Sequence, residues 1–192
     1  IMNSEFLAML NVRRIHHSMF YKPVGRLIDD ALSILTCSQD IYPKVTNELL
    51  FLLGGNLGVL SGDWEFAHKW LTISEEYSQK HGLQDYSKRN ARKLADYFCH
   101  MKEYEKAKDI ILAYVDQHDV ITGRYENYLI GALGNIYTCI ECYDEALECY
   151  ESVLKYSTAK GIIGWAAHAN LGIGNIHYHL GNIEEAAELT AR

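Results

Sequence analysis

The chain has 192 residues, of which 48% are apolar and 22% charged, and a formal net charge of −7. That supplies a continuous core and excludes a disordered chain. The acidic balance disfavours nucleic acid and anionic membrane surfaces as partners, since both reward clustered lysine and arginine.

The first segment carries a faint helical pattern. Ala8, Val12 and Ile15 form one apolar stripe, and Tyr21, Val24, Ile28 and Ala31 form a second. Pro23 falls near the start of the second helix, where its missing N–H costs nothing. Residues 1–42 therefore read as a degenerate helix pair.

Leu49 to Leu60 is the most apolar run, at twelve residues. A membrane span needs about 20, so the run reads as a buried helix. Gly54-Gly55-Asn56-Leu57-Gly58 has the composition of a phosphate loop, but no strand precedes it. Its glycines instead permit close helix contact, at a propensity cost of about 1 kcal/mol each.

From here one spacing repeats. Phe51, Gly54, Gly55 and Gly58 are followed by Trp64, Ala67 and Leu71. Ala91, Leu94, Ala95 and Phe98 are followed by Tyr104, Ala107, Ile111 and Tyr114. Ile130, Leu133, Gly134 and Tyr137 precede Tyr143, Ala146, Tyr150 and Val153. Asn170, Ile173, Gly174 and His177 precede Ile183 and Ala186. Equivalent positions lie 40, 39 and 40 residues apart. The clearest echo is Leu133-Gly134-Asn135-Ile136-Tyr137 against Ile173-Gly174-Asn175-Ile176-His177. A fixed period of this size marks an array of helix hairpins, with repeats at about 43–82, 83–122, 123–162 and 163–192 in one continuous solenoid. The last repeat stops part-way through its second helix at Arg192, which reads as a fragment of a larger protein.

Leu133-Gly134-x-x-Tyr137, Tyr143-x-x-Ala146 and Tyr150 resemble the tetratricopeptide repeat family. Gly62-Asp63-Trp64-Glu65-Phe66-Ala67 and Lys102-Glu103-Tyr104-Glu105-Lys106-Ala107 match its turn and second helix. The resemblance covers residues 43–192. It implies an all-α, right-handed α-solenoid of about five antiparallel helix pairs. The family's usual repeat has 34 residues and ends in proline. Here the repeat is longer, and Tyr156 to Gly161 stands in the proline's place. That is similar to the long-repeat Pins/LGN-like scaffolds and Rap-type bacterial peptide receptors.

The resemblance also implies a concave groove, lined by one helical stripe of each repeat. Its candidate residues are Asn56, Arg89, Arg92, Asp96, Tyr128, Asn135, Thr138, His168, Asn175 and Tyr178. Leu49, Leu52, Val59, Cys99, Gly131 and Leu171 share that register. One column reads Asn56, Asp96, Asn135, Asn175. An amide offers a donor and an acceptor together, as the backbone of an extended peptide requires. The same amides could equally satisfy neighbouring helices. Arg89 and Arg92 suit a ligand carboxylate, or a pairing with Asp85 or Asp96.

Cys37, Cys99, Cys139, Cys142 and Cys149 form no disulfide framework and suggest a reducing, cytoplasmic setting. Cys139-x-x-Cys142 is a lone pair, and zinc wants four converging ligands. No cofactor, metal or catalytic constellation is expected. The expected function is a scaffold that binds a protein or extended peptide, and not an enzyme. The competing reading is a signal-peptide sensor that regulates a separate output module. Self-association through terminal repeats is a third.

Overall fold

The structure, a computed structural model, describes residues 4–38, 42–115, 121 and 123–190. Among these are ten helices and no strand. α1 is Ser4–Ser18 and α2 is Val24–Ser38. α3 runs Pro43–Phe51, continues through a π-helical Leu52–Gly58 and ends as Val59–Ser61. α4 is Trp64–Lys80, α5 Gln84–His100 and α6 Tyr104–Leu112. α7 is Arg124–Cys139, α8 Tyr143–Ala159, α9 Ile163–His179 and α10 Ile183–Thr190. Two compact units divide the chain, 1–97 and 98–192.

The hairpin turns explain the period. Gly62, Lys102, Glu141 and Gly181 have φ of 73°, 60°, 62° and 83°, and each ends the first helix of a repeat. At three of them the next N–H reaches back across the turn. Glu103 N donates to Phe98 O at 2.8 Å, Cys142 N to Tyr137 O at 3.0 Å and Asn182 N to His177 O at 2.9 Å. This is the Schellman closure, which satisfies carbonyls that the helix leaves open. Glycine adopts such a φ freely, but at Lys102 and Glu141 the Cβ makes it cost about 1–2 kcal/mol.

In the first unit, Val12 and Ile15 of α1, Leu27 and Ala31 of α2 and Val45, Leu53 and Leu57 of α3 form one buried cluster. Phe66, Trp70, Ile73 and Tyr77 of α4 pack against it. Pro43 opens α3, and Asp63 caps α4 by accepting from Phe66 N at 2.9 Å. Gly54 and Gly58 set how close α3 and α4 come. A Cβ on Gly54 would lie 2.6 Å from Leu71 N, and one on Gly58 would lie 2.7 Å from Ala67 Cα. The expected reason for the glycine cluster, tight helix contact, is the observed one.

Three sequence expectations need correction here. Leu49 and Leu52 belong to the core, at 0% and 1% exposure, and not to a groove stripe. The first two helices are the reason. Leu49 and Leu52 join the cluster that Val12 and Ile15 of α1 and Leu27 and Ala31 of α2 build against α3. Tyr21 is exposed because it lies in the turn between α1 and α2. Tyr114 falls beyond α6, which ends at Leu112. The Cys37 side chain lies outside the described residues.

A buried polar network ties α3, α4 and α5 together. Asn47, Ser74, Ser78 and Asn90 are all at 0% exposure. Ser74 Oγ lies 3.2 Å from Asn47 Oδ1 and 3.0 Å from Asn90 Oδ1. Asn90 Nδ2 donates to Ser78 Oγ at 3.1 Å and to Glu75 Oε2 at 3.2 Å. Such groups are tolerated in a core only when bonded to one another. The second unit carries a smaller version, in which Ser157 Oγ donates to the buried Asn127 Oδ1 at 3.3 Å.

The second unit is built on Leu129, Ile130, Leu133 and Ile136 of α7, with Ala146, Cys149 and Val153 of α8 and Ala169, Ile173 and Ile176 of α9 all buried. Tyr150 of α8 is wedged against two helices. A Cβ on Gly134 would come to 3.0 Å from its ring, and one on Gly172 to 2.5 Å.

Two substitutions check this account by urea unfolding followed by circular dichroism. Glu141→Gly relieves a left-handed Cβ and is expected to raise stability by about 1 kcal/mol. Gly58→Ala forces a methyl into the α4 backbone and is expected to lower it by about 1–3 kcal/mol.

Candidate functional site

The candidate residues of the first unit are engaged with one another and with α1. Asn56 Nδ2 lies 2.5 Å from His16 Nε2. The contact requires the His16 tautomer with its proton on Nδ1, so that Nε2 accepts. Arg89 makes two bonds to Glu48, from Nη1 to Oε1 at 2.7 Å and from Nη2 to Oε2 at 3.3 Å. Its guanidinium also sits 4.1 Å from the centroid of the Phe51 ring. Arg92 pairs with Asp96 one turn on, and Lys93 Nζ lies 3.8 Å from the same carboxylate. Of the two readings of these arginines, internal pairing is therefore observed. The sequence named Asp96 as one partner and missed Glu48, because the Arg89–Glu48 pair spans two helices.

Burial pushes the Lys93 ammonium below its usual range, and the neighbouring Arg92 adds to the effect. Burial likewise lowers His16, with the carboxylate of Glu48 opposing and Arg89 reinforcing. His16 is therefore neutral at neutral pH and able to accept from Asn56.

In the second unit the residues form two neighbourhoods. One is aromatic. Tyr128 meets Trp165 edge-on at 4.8 Å, Trp165 meets His168 at 5.2 Å, and His168 meets Tyr150 at 6.1 Å. Tyr150 Oη donates to Asn135 Oδ1 at 2.8 Å and lies 3.4 Å from Thr138 Oγ1. Thr138 itself donates to Gly134 O at 2.9 Å. Tyr128, Asn135, Thr138 and His168 are thus brought together around Tyr150 and Trp165, the latter a residue that the repeat ruler passed over. Gly131, from the same register, is buried against Trp165, and a Cβ there would come to 3.2 Å from its ring.

The other neighbourhood is open. Asn175 and Tyr178 of α9, with Leu171, Ile183 and Ala187, line a cleft of about 310 Å³ between α9 and α10. Asn175 is exposed there, unlike Asn135 and Asn56, which are half-buried. Leu171 and Tyr178 are exposed too.

Of the thiols, Cys149 is buried, Cys99 and Cys142 are half-buried and Cys139 is exposed. Burial pushes Cys149 up to about 12, with Glu148 and Glu145 contributing, and it also raises Cys139. Neither is a thiolate at neutral pH, so neither has the activation that a nucleophile needs. Among the described residues no three histidines, cysteines or carboxylates converge on a metal position. No described helix is long and apolar enough to cross a membrane.

No family model and no curated protein matches the sequence. Solved structures do match. BtubC from P. vanneervenii aligns with a TM-score of 0.68 at 16% identity, covering 98% of this chain and 87% of that one. The apo form of RapI aligns at 0.66 with 12% identity, covering 100% of this chain and 83% of that one. The nearly identical TPR-like repeats attributed to a kinesin light chain of Podosopora anserina align at 0.68 with 12% identity, covering 98% and 93%. At such identities the likeness is one of fold. The chain has the all-α, solenoid-type fold of TPR-like repeat proteins.

The His16–Asn56 contact carries a pH signature. The folded midpoint of His16 lies below the unfolded value of 6.5, so the folded state resists its protonation. Its contribution is present above pH 6.5 and is lost as pH falls from there through the folded midpoint. In an NMR titration His16 is expected to titrate below 6.5. A His16→Asn variant should show a flatter loss of stability between neutral and acidic pH.

Proposed function

We propose that this chain is a protein- or peptide-binding repeat scaffold, acting by recognition and not by catalysis. The observation that carries the reading is the exposed stripe of Leu171, Asn175 and Tyr178 on α9, beside an open cleft. In a solenoid-type fold a helix stripe of this kind is a ready contact surface. An exposed amide set between apolar side chains provides orientation, and the apolar side chains provide affinity. Asn175 is the member of the amide column best placed for a backbone N–H and C=O. Tyr128, Asn135, Thr138 and His168 extend the surface of the second unit, with Asn135 already held by Tyr150. In the first unit, Asn56, Arg89, Arg92 and Asp96 belong to the proposed surface only where a partner displaces their internal pairings.

The repeat boundaries at about 43–82, 83–122, 123–162 and 163–192 are part of this proposal. So is a cytoplasmic setting, which suits the free thiols of Cys99, Cys139, Cys142 and Cys149.

Selection of a displayed random-peptide library on the intact chain tests the reading, followed by calorimetry with the enriched sequences. Enriched peptides are expected, and Asn175→Ala should weaken them about tenfold, or about 1.4 kcal/mol. Asn175 is exposed, so the fold should survive the change. A selection that enriches nothing, or affinities untouched by both Asn175→Ala and Tyr178→Ala, removes the proposal.

A further inference from the structure

Tyr150 does more than fill the space between α7 and α9. Its ring is 2% exposed. It faces Gly134 on one side and Gly172 on the other, and a Cβ at either would crowd it. The ring therefore cannot swing, and its hydroxyl group reaches one fixed place. There it lies 2.8 Å from Asn135 Oδ1 and 3.4 Å from Thr138 Oγ1.

The protons decide which way these bonds run. Thr138 has already given its hydroxyl proton to Gly134 O at 2.9 Å, so towards Tyr150 it can only accept. Tyr150 has one proton and two neighbours. At 2.8 Å the Asn135 contact has the length of an O–H···O bond, and at 3.4 Å the Thr138 contact is too long for one. Tyr150 therefore donates to Asn135 Oδ1. An amide turned over would put Nδ2 in that place and leave the tyrosine proton with only the long contact.

The other half of the amide is open. Asn135 Nδ2 has no partner among the described residues and is not enclosed by them. Its two N–H groups can only donate. Beyond Arg124 at its start, α7 has no lysine or arginine, and α9 has none. Neither helix offers a charge to compensate a carboxylate as it leaves water. A neutral carbonyl oxygen needs no such compensation.

We infer that Tyr150 is a positioning residue, which turns the Asn135 amide so that its N–H groups face outward and receive a main-chain carbonyl of a bound extended peptide. Asn135 then reads one half of a peptide group. Asn175, with no hydrogen-bond partner among the described residues, can read either half. The inference rests on the recognition reading and names the group that one of its residues takes.

Peptides enriched from the displayed library, remade with a single thioamide at each position in turn, test it by calorimetry on the intact chain. Sulfur is a poor acceptor, so one position should lose about tenfold in affinity. Asn135→Asp keeps the acceptor that Tyr150 meets and removes the outward donors. It should weaken the unmodified peptide about tenfold, and the sensitive thioamide should then cost nothing further. An Asn135 that serves only to hold Tyr150 would tolerate this change. Tyr150→Phe keeps the ring between its glycines and lets the amide turn, which should weaken binding about threefold. In the free chain, NMR should show the Asn135 side-chain amide signals moving in Tyr150→Phe and those of Asn56 unmoved. Circular dichroism checks that each variant folds, and the thioamide scan on the unaltered chain needs no variant.

Asn135 signals that stay in place in Tyr150→Phe would mean that the tyrosine does not hold the amide, and would overturn the inference. Affinities untouched by Asn135→Asp but weakened by Asn175→Ala would sink it alone and leave the recognition reading standing. A scan in which every thioamide is tolerated would do the same. If the scan is silent and amidating an acidic side chain of the peptide abolishes binding, the acceptor is a carboxylate and the carbonyl assignment fails. A selection that enriches nothing removes the recognition reading, and this inference with it.

Discussion

Everything in this fold depends on how closely two helices approach just after they turn. A residue at positive φ closes the hairpin, and five positions later an alanine is buried at the contact. The pairs are Gly62 with Ala67, Lys102 with Ala107, Glu141 with Ala146 and Gly181 with Ala186. The turn fixes the direction in which the second helix leaves, and the alanine fixes its distance. A larger side chain would hold the helices apart and spoil the stacking of the next pair. The turn residue can vary, because a left-handed Lys102 or Glu141 costs only about 1–2 kcal/mol. The alanine cannot vary so easily, because overpacking has no nearby space into which to relax.

That asymmetry explains why the architecture was legible in the sequence. The Ala67, Ala107, Ala146 and Ala186 column and the aromatic that opens three of the second helices, Trp64, Tyr104 and Tyr143, are local features, and a fixed spacing displays them. The π-helical stretch of α3 was not legible, because nothing in Leu52 to Gly58 announces it except the glycines themselves. The buried network of Asn47, Ser74, Ser78 and Asn90 was equally hidden. Its members lie on three helices, and each alone has the composition of a solvent-facing residue. Only the packing shows that they bond to one another.

The candidate site was legible as a register and illegible as a set of environments. The column of Asn56, Asp96, Asn135 and Asn175 is one position repeated, yet its members have different fates. His16 meets the first, arriving from α1. Arg92 and Lys93 meet the second from its own helix. Tyr150 meets the third from α8. The Arg92 pairing was open to a spacing argument because it lies within one helix, but the contacts from His16 and Tyr150 cross between helices and were not. Trp165 was missed for the same reason.

The fourth member, Asn175 in the α9–α10 pair, is exposed. The same helix pair places Leu171 and Tyr178 at the surface and lacks any lysine or arginine. A repeat protein can preserve one residue at every equivalent position and still leave it available at only one. Exposure is decided by the residues that break the repeat, so the irregular positions separate a packed amide from an exposed one. In this chain they leave Asn175 exposed.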